Sequence, residues 1–361
     1  MLSFAQFPYQ RLDMDDITVR MQRHTVQIAQ AQTIGELFMH LIETDHLCKL
    51  FESYACISEV GFTNNSYDAF YQAEESFFGS AKPAFELLVQ QRDQALCASP
   101  HREALQALVG DEFFDIARMK GKTVSEFVLD LMRRDNKLSQ MYSDIMSQLT
   151  VSVNGEMLTF SMLGPYLNCS DRATRQTYAA AADQALLGIS NRIDVMYDEM
   201  VQIRHEIAQK TGFANHTDYC LYKHGRTGYG RKELAAFAQR VEQHIVPVVS
   251  RMVSAQEERL GHPVMHYDEG TLFPGREVKV EKDPLDAFQR IFTKLSPETK
   301  VFFDELRSRK FYDLELREGK TNGAYSNAMP LCAMPYIFET YNATEGAVRT
   351  FAHECGHGLN T

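Results

Sequence analysis

A helical repeat constrains this chain more than any other feature. Between Val124 and Leu149 apolar residues stand at 124, 127, 128, 131, 138, 141, 142, 145, 146 and 149, which gathers them on one stripe of a helix. Similar amphipathic stretches run from Asp13 to Ala31, Ile34 to Val60, Ser66 to Leu96, Arg172 to Lys210 and Lys232 to Leu260. Thr123, with Glu126 three residues on, reads as a capping box opening the 124–149 stretch. Ser296-Pro297-Glu298 reads as another helix start, with a cap, a proline for the first turn and an acid for the helix dipole. With no alternation of strands and helices, this texture predicts a mainly α fold rather than a parallel α/β one.

Two short segments break the pattern. Thr150–Phe160 places β-branched residues around Asn154-Gly155, a pair suited to the two positive φ angles of a tight turn, so a β-hairpin is predicted near 150–160. A small β element is predicted near 323–340, with extended pieces at Ala324–Asn327 and Tyr336–Thr340 set apart by Pro330 and Pro335. The Gly-, Pro- and Asp-rich stretch Gly261–Pro284 reads as a boundary.

Composition narrows the function classes. At 361 residues the chain is long enough for two or three domains of about 150 residues. Its hydrophobic share of 44% and charged share of 24% are those of a globular protein. The net charge of −11 argues against nucleic acid as a partner, because neutralising phosphates takes a surplus of Lys and Arg. No apolar run approaches the roughly 18 residues of a membrane span, and Met1–Arg11 lacks the basic start and apolar core of a signal peptide. The seven cysteines are odd in number, scattered and without a C-x-x-C pair, which fits reduced thiols and a cytoplasmic location.

The chemistry is concentrated in Thr350–Thr361. His353-Glu354-x-x-His357 puts two imidazoles about 40° apart on one helix face, where they can grip a Zn²⁺ ion. Glu354 stands beside them, off the metal, placed to take a proton from water. Chance gives about 0.03 such pentapeptides in a chain with 12 histidines, so context must arbitrate. Val348, Ala352, Cys355 and Leu359 form an opposite apolar stripe to anchor the helix, Thr344 is placed as its N-cap, and Gly356 keeps space open near the metal. Cys355, about 200° from His353, points away and reads as a small buried hydrophobe. The plainer reading, two surface histidines on an ordinary helix, stays open, as does a divalent ion other than zinc. Gly319-Lys320-Thr321 lacks the earlier glycine of a phosphate loop, and Gly228-Tyr229-Gly230 lacks the third glycine of a dinucleotide fingerprint.

Several motifs together carry a resemblance. Tyr312-Asp313-Leu314, Gly319-Lys320, Gly323-Ala324-Tyr325, Pro335-Tyr336-Ile337, Asn342 and His353-Glu354-Cys355-Gly356-His357 resemble the oligoendopeptidase F and thimet oligopeptidase family of zinc metallopeptidases. Phe4-x-x-Phe7-x-Tyr9-x-Arg11, Leu163-Gly164-Pro165, Asp171-Arg172 with Arg175, and Gly225–Tyr229 are similar to its bacterial oligoendopeptidase F branch. The resemblance implies a two-lobed, mainly helical zincin-type peptidase with a deep cleft. Residues 1–210 would form a helical region with the hairpin, and 211–361 the start of the catalytic domain. It implies an endopeptidase for short unstructured oligopeptides, with His353 and His357 as zinc ligands, Glu354 as general base, and Gly323, Ala324 and Tyr325 in a strand that pairs with substrate. It also implies a third ligand, a glutamate on a later helix, and later His and Tyr groups for the oxyanion. None of these lies within 361 residues, so the chain is expected to be incomplete and weakly active alone. The alternative is a helical peptide-binding module without catalysis. Peptide preference and oligomeric state are not legible.

Overall fold

The computed structural model describes residues 3–275 and 280–360. Asp13 caps α1 (Met14–Gln30) by accepting from the N–H groups of Asp15 and Asp16, and Thr33 caps α2 (Ile34–Asn64) with Glu36 closing a capping box. α3 (Ala69–Ala98) packs against both. Two shorter helices follow, α4 (Arg102–Val109) and α5 (Asp111–Lys120), before α6 (Leu129–Gln148). The expected cap at Thr123 is not there. Its hydroxyl instead donates to the Lys120 carbonyl, closing the last turn of α5, while a 3₁₀ turn at Glu126–Val128 leads into α6. A local hydrogen bond to the preceding helix has outcompeted the box.

The hairpin forms as expected. β1 (Thr150–Val153) pairs antiparallel with β2 (Glu156–Thr159) through Asn154 at φ 52° and Gly155 at φ 86°. A short α7 (Gly164–Leu167) leads to α8 (Arg172–Lys210), whose 39 residues match the predicted stretch end for end. After α9 (His216–Lys223) the 232–260 stretch is split: α10 (Arg231–Arg240) and α11 (Val246–Leu260) flank a π-helical turn at Val241–Ile245. Pro247 in the first turn of α11 cannot supply an N–H, which explains the break in regular winding.

The 261–284 stretch, read as a boundary, is fastened to the helical body. Its Asp268 is fully buried and receives Arg175 at 2.8 Å and Arg172 at 2.9 Å from α8, while Gln256 of α11 donates to the Asp268 carbonyl. The two guanidiniums hold the Asp268 carboxyl down at about 2, although burial alone would raise it. Residues 276–279 of that stretch, like Met1, Leu2 and Thr361, lie outside the described residues.

The last third of the chain builds a sheet under a helix. Ser296 caps α13 (Pro297–Arg309), which stacks on α12 (Leu285–Leu295). The sheet has the order β3 (Tyr312–Asp313), β5 (Met334–Glu339), β4 (Ala324–Met329); β3 runs parallel to β5 and β4 antiparallel to it. Every residue of β5 is buried, as expected of a central strand. Pro335 fits there because β3 reaches only Ile337 and Phe338, leaving no ladder partner on that side for the missing N–H. Thr344 caps the final helix, α14 (Glu345–Leu359), which lies across β4 and β5. One core joins these parts: Phe288, Phe292, Phe303, Phe311, Ile337, Phe338, Phe351 and Cys355, with Ile57 and Val60 from α2.

The N-terminal Phe4–Arg11 segment straps the two regions together. The Phe4 ring lies tilted 4.4 Å from that of Tyr336 of β5, whereas Tyr9 and Arg11 both grip the buried Glu74 of α3. Leu163-Gly164-Pro165 and Asn342 also meet: a Cβ at Gly164 would lie 2.0 Å from Asn342 Nδ2, so a larger residue there would push the Asn342 side chain out of its place.

Candidate active site

Helix α14 divides into two faces. Ala347, Phe351, Glu354, Cys355 and Gly358 are buried, whereas His353, Gly356 and His357 are exposed. The expected anchoring stripe is therefore rotated: Cys355 belongs to it, but Ala352 and Leu359 face outward and Val348 is half-buried. Phe351, packed on Phe288 at 4.8 Å, is the true anchor. Gly358 permits contact below, since a Cβ there would meet Pro335 Cγ at 2.8 Å. Thr344 accepts from the Ala347 N–H at 3.2 Å, and a Cβ on Gly356 would meet nothing within 4 Å. Burial drives the Cys355 thiol well above its ordinary range, so it stays a neutral packing group.

His353 and His357 converge. Their Nε2 atoms are 2.8 Å apart, with the rings nearly perpendicular. Two imidazole nitrogens meeting on an exposed face form a donor pair suited to a borderline divalent ion. Among the described residues no group of three His, Cys, Asp or Glu is arranged to hold a metal. The residues present fit two positions of a metal site.

Behind Glu354 lies a residue that sequence reading missed. Glu339, the last residue of β5, is buried with its Oε2 unpartnered. Burial, and then the charge of Glu354, push its carboxyl up to about 8, against the pull of Lys320. Lys320 is itself buried: its ammonium donates to Asp313 Oδ1 at 2.7 Å and to the carbonyls of Glu315 and Glu339, and lies over the Phe338 ring. Burial lowers it to about 8, with Asp313 resisting. The Gly-Lys-Thr run is thus a sheet staple. Nothing in the local sequence marks Glu339, because it reaches Glu354 only through the placement of α14 across the sheet.

Gly323, Ala324 and Tyr325 open the edge strand β4, and Ala324 is the register partner of Glu339. That pairing sets the start of the strand beside Glu339, whose carboxyl feels the charge of Glu354. Gly323 takes φ 118°, and the Thr340 N–H donates to its carbonyl at 3.1 Å. The Tyr325 ring stacks on Phe338 and its hydroxyl meets Thr63 Oγ1 of α2 at 2.7 Å, while Asn327 donates to Glu59 at 2.7 Å. The inner side of β4 is pinned to α2, and among the described residues its outer edge has no strand partner. Beside its start lies a cavity of about 380 Å³, lined by Asn322, Gly323 and Ala324 with Glu59, Phe62 and Tyr142 opposite.

Residues 4–124 match the model of the peptidase M3 N-terminal domain. Over 99% of its length the chain superposes, with a TM-score of 0.96 and 27% identity, on a Bacillus anthracis protein assigned as an oligoendopeptidase F. These matches support the resemblance to oligoendopeptidase F and the M3 peptidases read from the sequence. PZ peptidase A with an inhibitor gives the same TM-score of 0.96 at 29% identity, again over 99% of this chain. The chain spans about two thirds of the length of these M3-like structures, 67% of the first and 64% of the second. Among curated proteins none matches. The helical, zincin-type architecture with small sheets is that of the oligoendopeptidase F structures.

Proposed function

We propose that this chain forms part of a zinc metalloendopeptidase that cuts short, unstructured oligopeptides. The observation that carries the reading is the convergence of His353 and His357 to 2.8 Å on the exposed face of a helix whose opposite face is locked in the core. Those two nitrogens would hold the ion. When bound, zinc supplies a Lewis acid that polarises a carbonyl and makes water more acidic. Glu354 accepts the proton of the attacking water on its carboxylate and returns it to the leaving amide nitrogen. The outer edge of β4, from Gly323 through Tyr325, takes the peptide as an added strand, so that main-chain hydrogen bonds read extension rather than sequence. The cavity beside Ala324 receives a side chain of that strand. The seven scattered thiols, with no disulfide among the described residues, fit a reducing cytoplasm. No described helix is long and apolar enough to cross a membrane.

A catalytic zinc takes three protein ligands and a water. The described residues supply two of these, and the 361-residue chain is expected to turn over little by itself. Peptide hydrolysis by this chain at the rate of a full-length relative would overturn that part of the reading. In the catalytically complete protein, Glu354→Gln keeps the metal but lowers turnover about 10²–10⁴-fold, the usual contribution of a positioned base. Metal analysis beside kcat checks it, and unchanged turnover with the metal in place would remove Glu354 from its role.

A further inference from the structure

We propose a second, non-catalytic metal site: His24 and His40 clamp a divalent transition-metal ion between α1 and α2. The two helices form an antiparallel hairpin whose turn is centred on Gln32, and His24 and His40 each lie eight residues from that centre. The hairpin therefore sets them opposite one another, independently of the His353–His357 pair. Their Nδ1 atoms are 3.0 Å apart and their ring centroids 5.2 Å apart. Two nitrogens sharing one ion at about 2.0–2.1 Å stand roughly 2.9–3.4 Å from each other, so the observed spacing needs almost no side-chain movement. The backbones beneath are fixed: Met21 and Ile28 of α1 and Leu37 of α2 are fully buried around the pair. Both rings are half-buried, so their outer sides stay open to water that would complete the coordination.

The surrounding charge selects the ion. Arg20 and Arg23 stand near His24, with Glu43 opposing them. Arg20 is partly occupied by Asp16 at 3.4 Å and Glu43 at 3.9 Å. A hard cation such as Mg²⁺ or Ca²⁺ gains nothing from two imidazoles in that setting, whereas Zn²⁺, Ni²⁺ and Cu²⁺ bind imidazole strongly enough to overcome it. The bound ion would cross-link α1 to α2 near the turn that joins them. The competing state is a plain imidazole–imidazole hydrogen bond, with one Nδ1–H donating to the other nitrogen.

Zinc chloride titrated calorimetrically into the full chain carrying His353→Ala and His357→Ala separates the two sites. The proposal expects one zinc equivalent to remain, and a further His24→Gln substitution to weaken it at least tenfold. It also expects the melting temperature of the His353→Ala/His357→Ala chain to rise with added zinc, because a ligand bound only to the folded state stabilises it, and this rise to vanish in His24→Gln and in His40→Gln. Far-UV circular dichroism confirms folding of each variant before titration. No zinc uptake by the folded His353→Ala/His357→Ala chain, or uptake indifferent to His24→Gln and His40→Gln, overturns the proposal and leaves the hydrogen-bonded pair. Failure here does not touch the peptidase reading, which rests on α14.

Discussion

Helix α14 and the α10–α11 rod are both amphipathic, yet they have opposite fates. On α14 the stripe built around Phe351 and Cys355 is fully buried over the sheet. On the rod Leu234, Phe237, Ile245, Val249 and Met252 are all exposed, Phe237 by 66% and Met252 by 65%, and only Gln256 is buried. Periodicity therefore records that a stripe exists, and a partner decides whether it is covered. A helix whose working groups must face one fixed direction needs the covered kind, because the covered stripe stops the helix rolling and so sets where the two imidazoles point.

Substitutions of the same type on the two helices test this contrast. Phe351→Ala should cost about 3–5 kcal/mol, the usual penalty for emptying a packed aromatic site, read as a lower midpoint in denaturant. A cost below about 1 kcal/mol would mean that α14 is not anchored through this side chain. A smaller effect is expected behind the base. The Glu339 carboxyl is raised by burial from 4.5 to about 8, so the folded state holds a proton there that the unfolded chain releases. Stability contributed by that proton is present below about 4.5 and is lost as pH rises toward about 8. Glu339→Gln, which keeps the shape and cannot ionise, should flatten that decline. Midpoints measured at pH 5, 7 and 8.5 check it, and parallel curves for the two proteins would refute it. The smallest effect belongs to the rod: Phe237→Ala should change stability by no more than about 0.5 kcal/mol, as for an exposed position. A loss matching that of Phe351→Ala would erase the distinction between the two helices.

Much of this architecture was readable because it is local. Asn154-Gly155 encodes its own turn, and Ser296 and Thr344 each cap the helix they precede. His353 and His357 were readable for the same reason, since four residues of helix bring them together without help from the rest of the chain. What was misread depends on distant partners. Thr123 turned back to Lys120, and the α14 stripe turned so that Ala352 and Leu359 face outward. Glu339 shows this most sharply. It ends an apolar run, Met334–Phe338, and its bearing on Glu354 arises from sheet register and helix placement, neither of which leaves a trace at residue 339.

The π-helical turn carries a consequence for the rod. At Val241–Ile245 the Val246 N–H reaches back to the Val241 carbonyl, five residues instead of four, so one extra residue is taken up in that coil. Deleting a single residue there would restore ordinary winding and leave everything from Val248 onward facing as it does now, whereas ordinary winding at the present length would swing it through about 100° relative to Leu234 and Phe237. The open greasy surface of this arm is thus kept in line by one wide coil, and tightening that coil would re-aim it without altering a single apolar side chain.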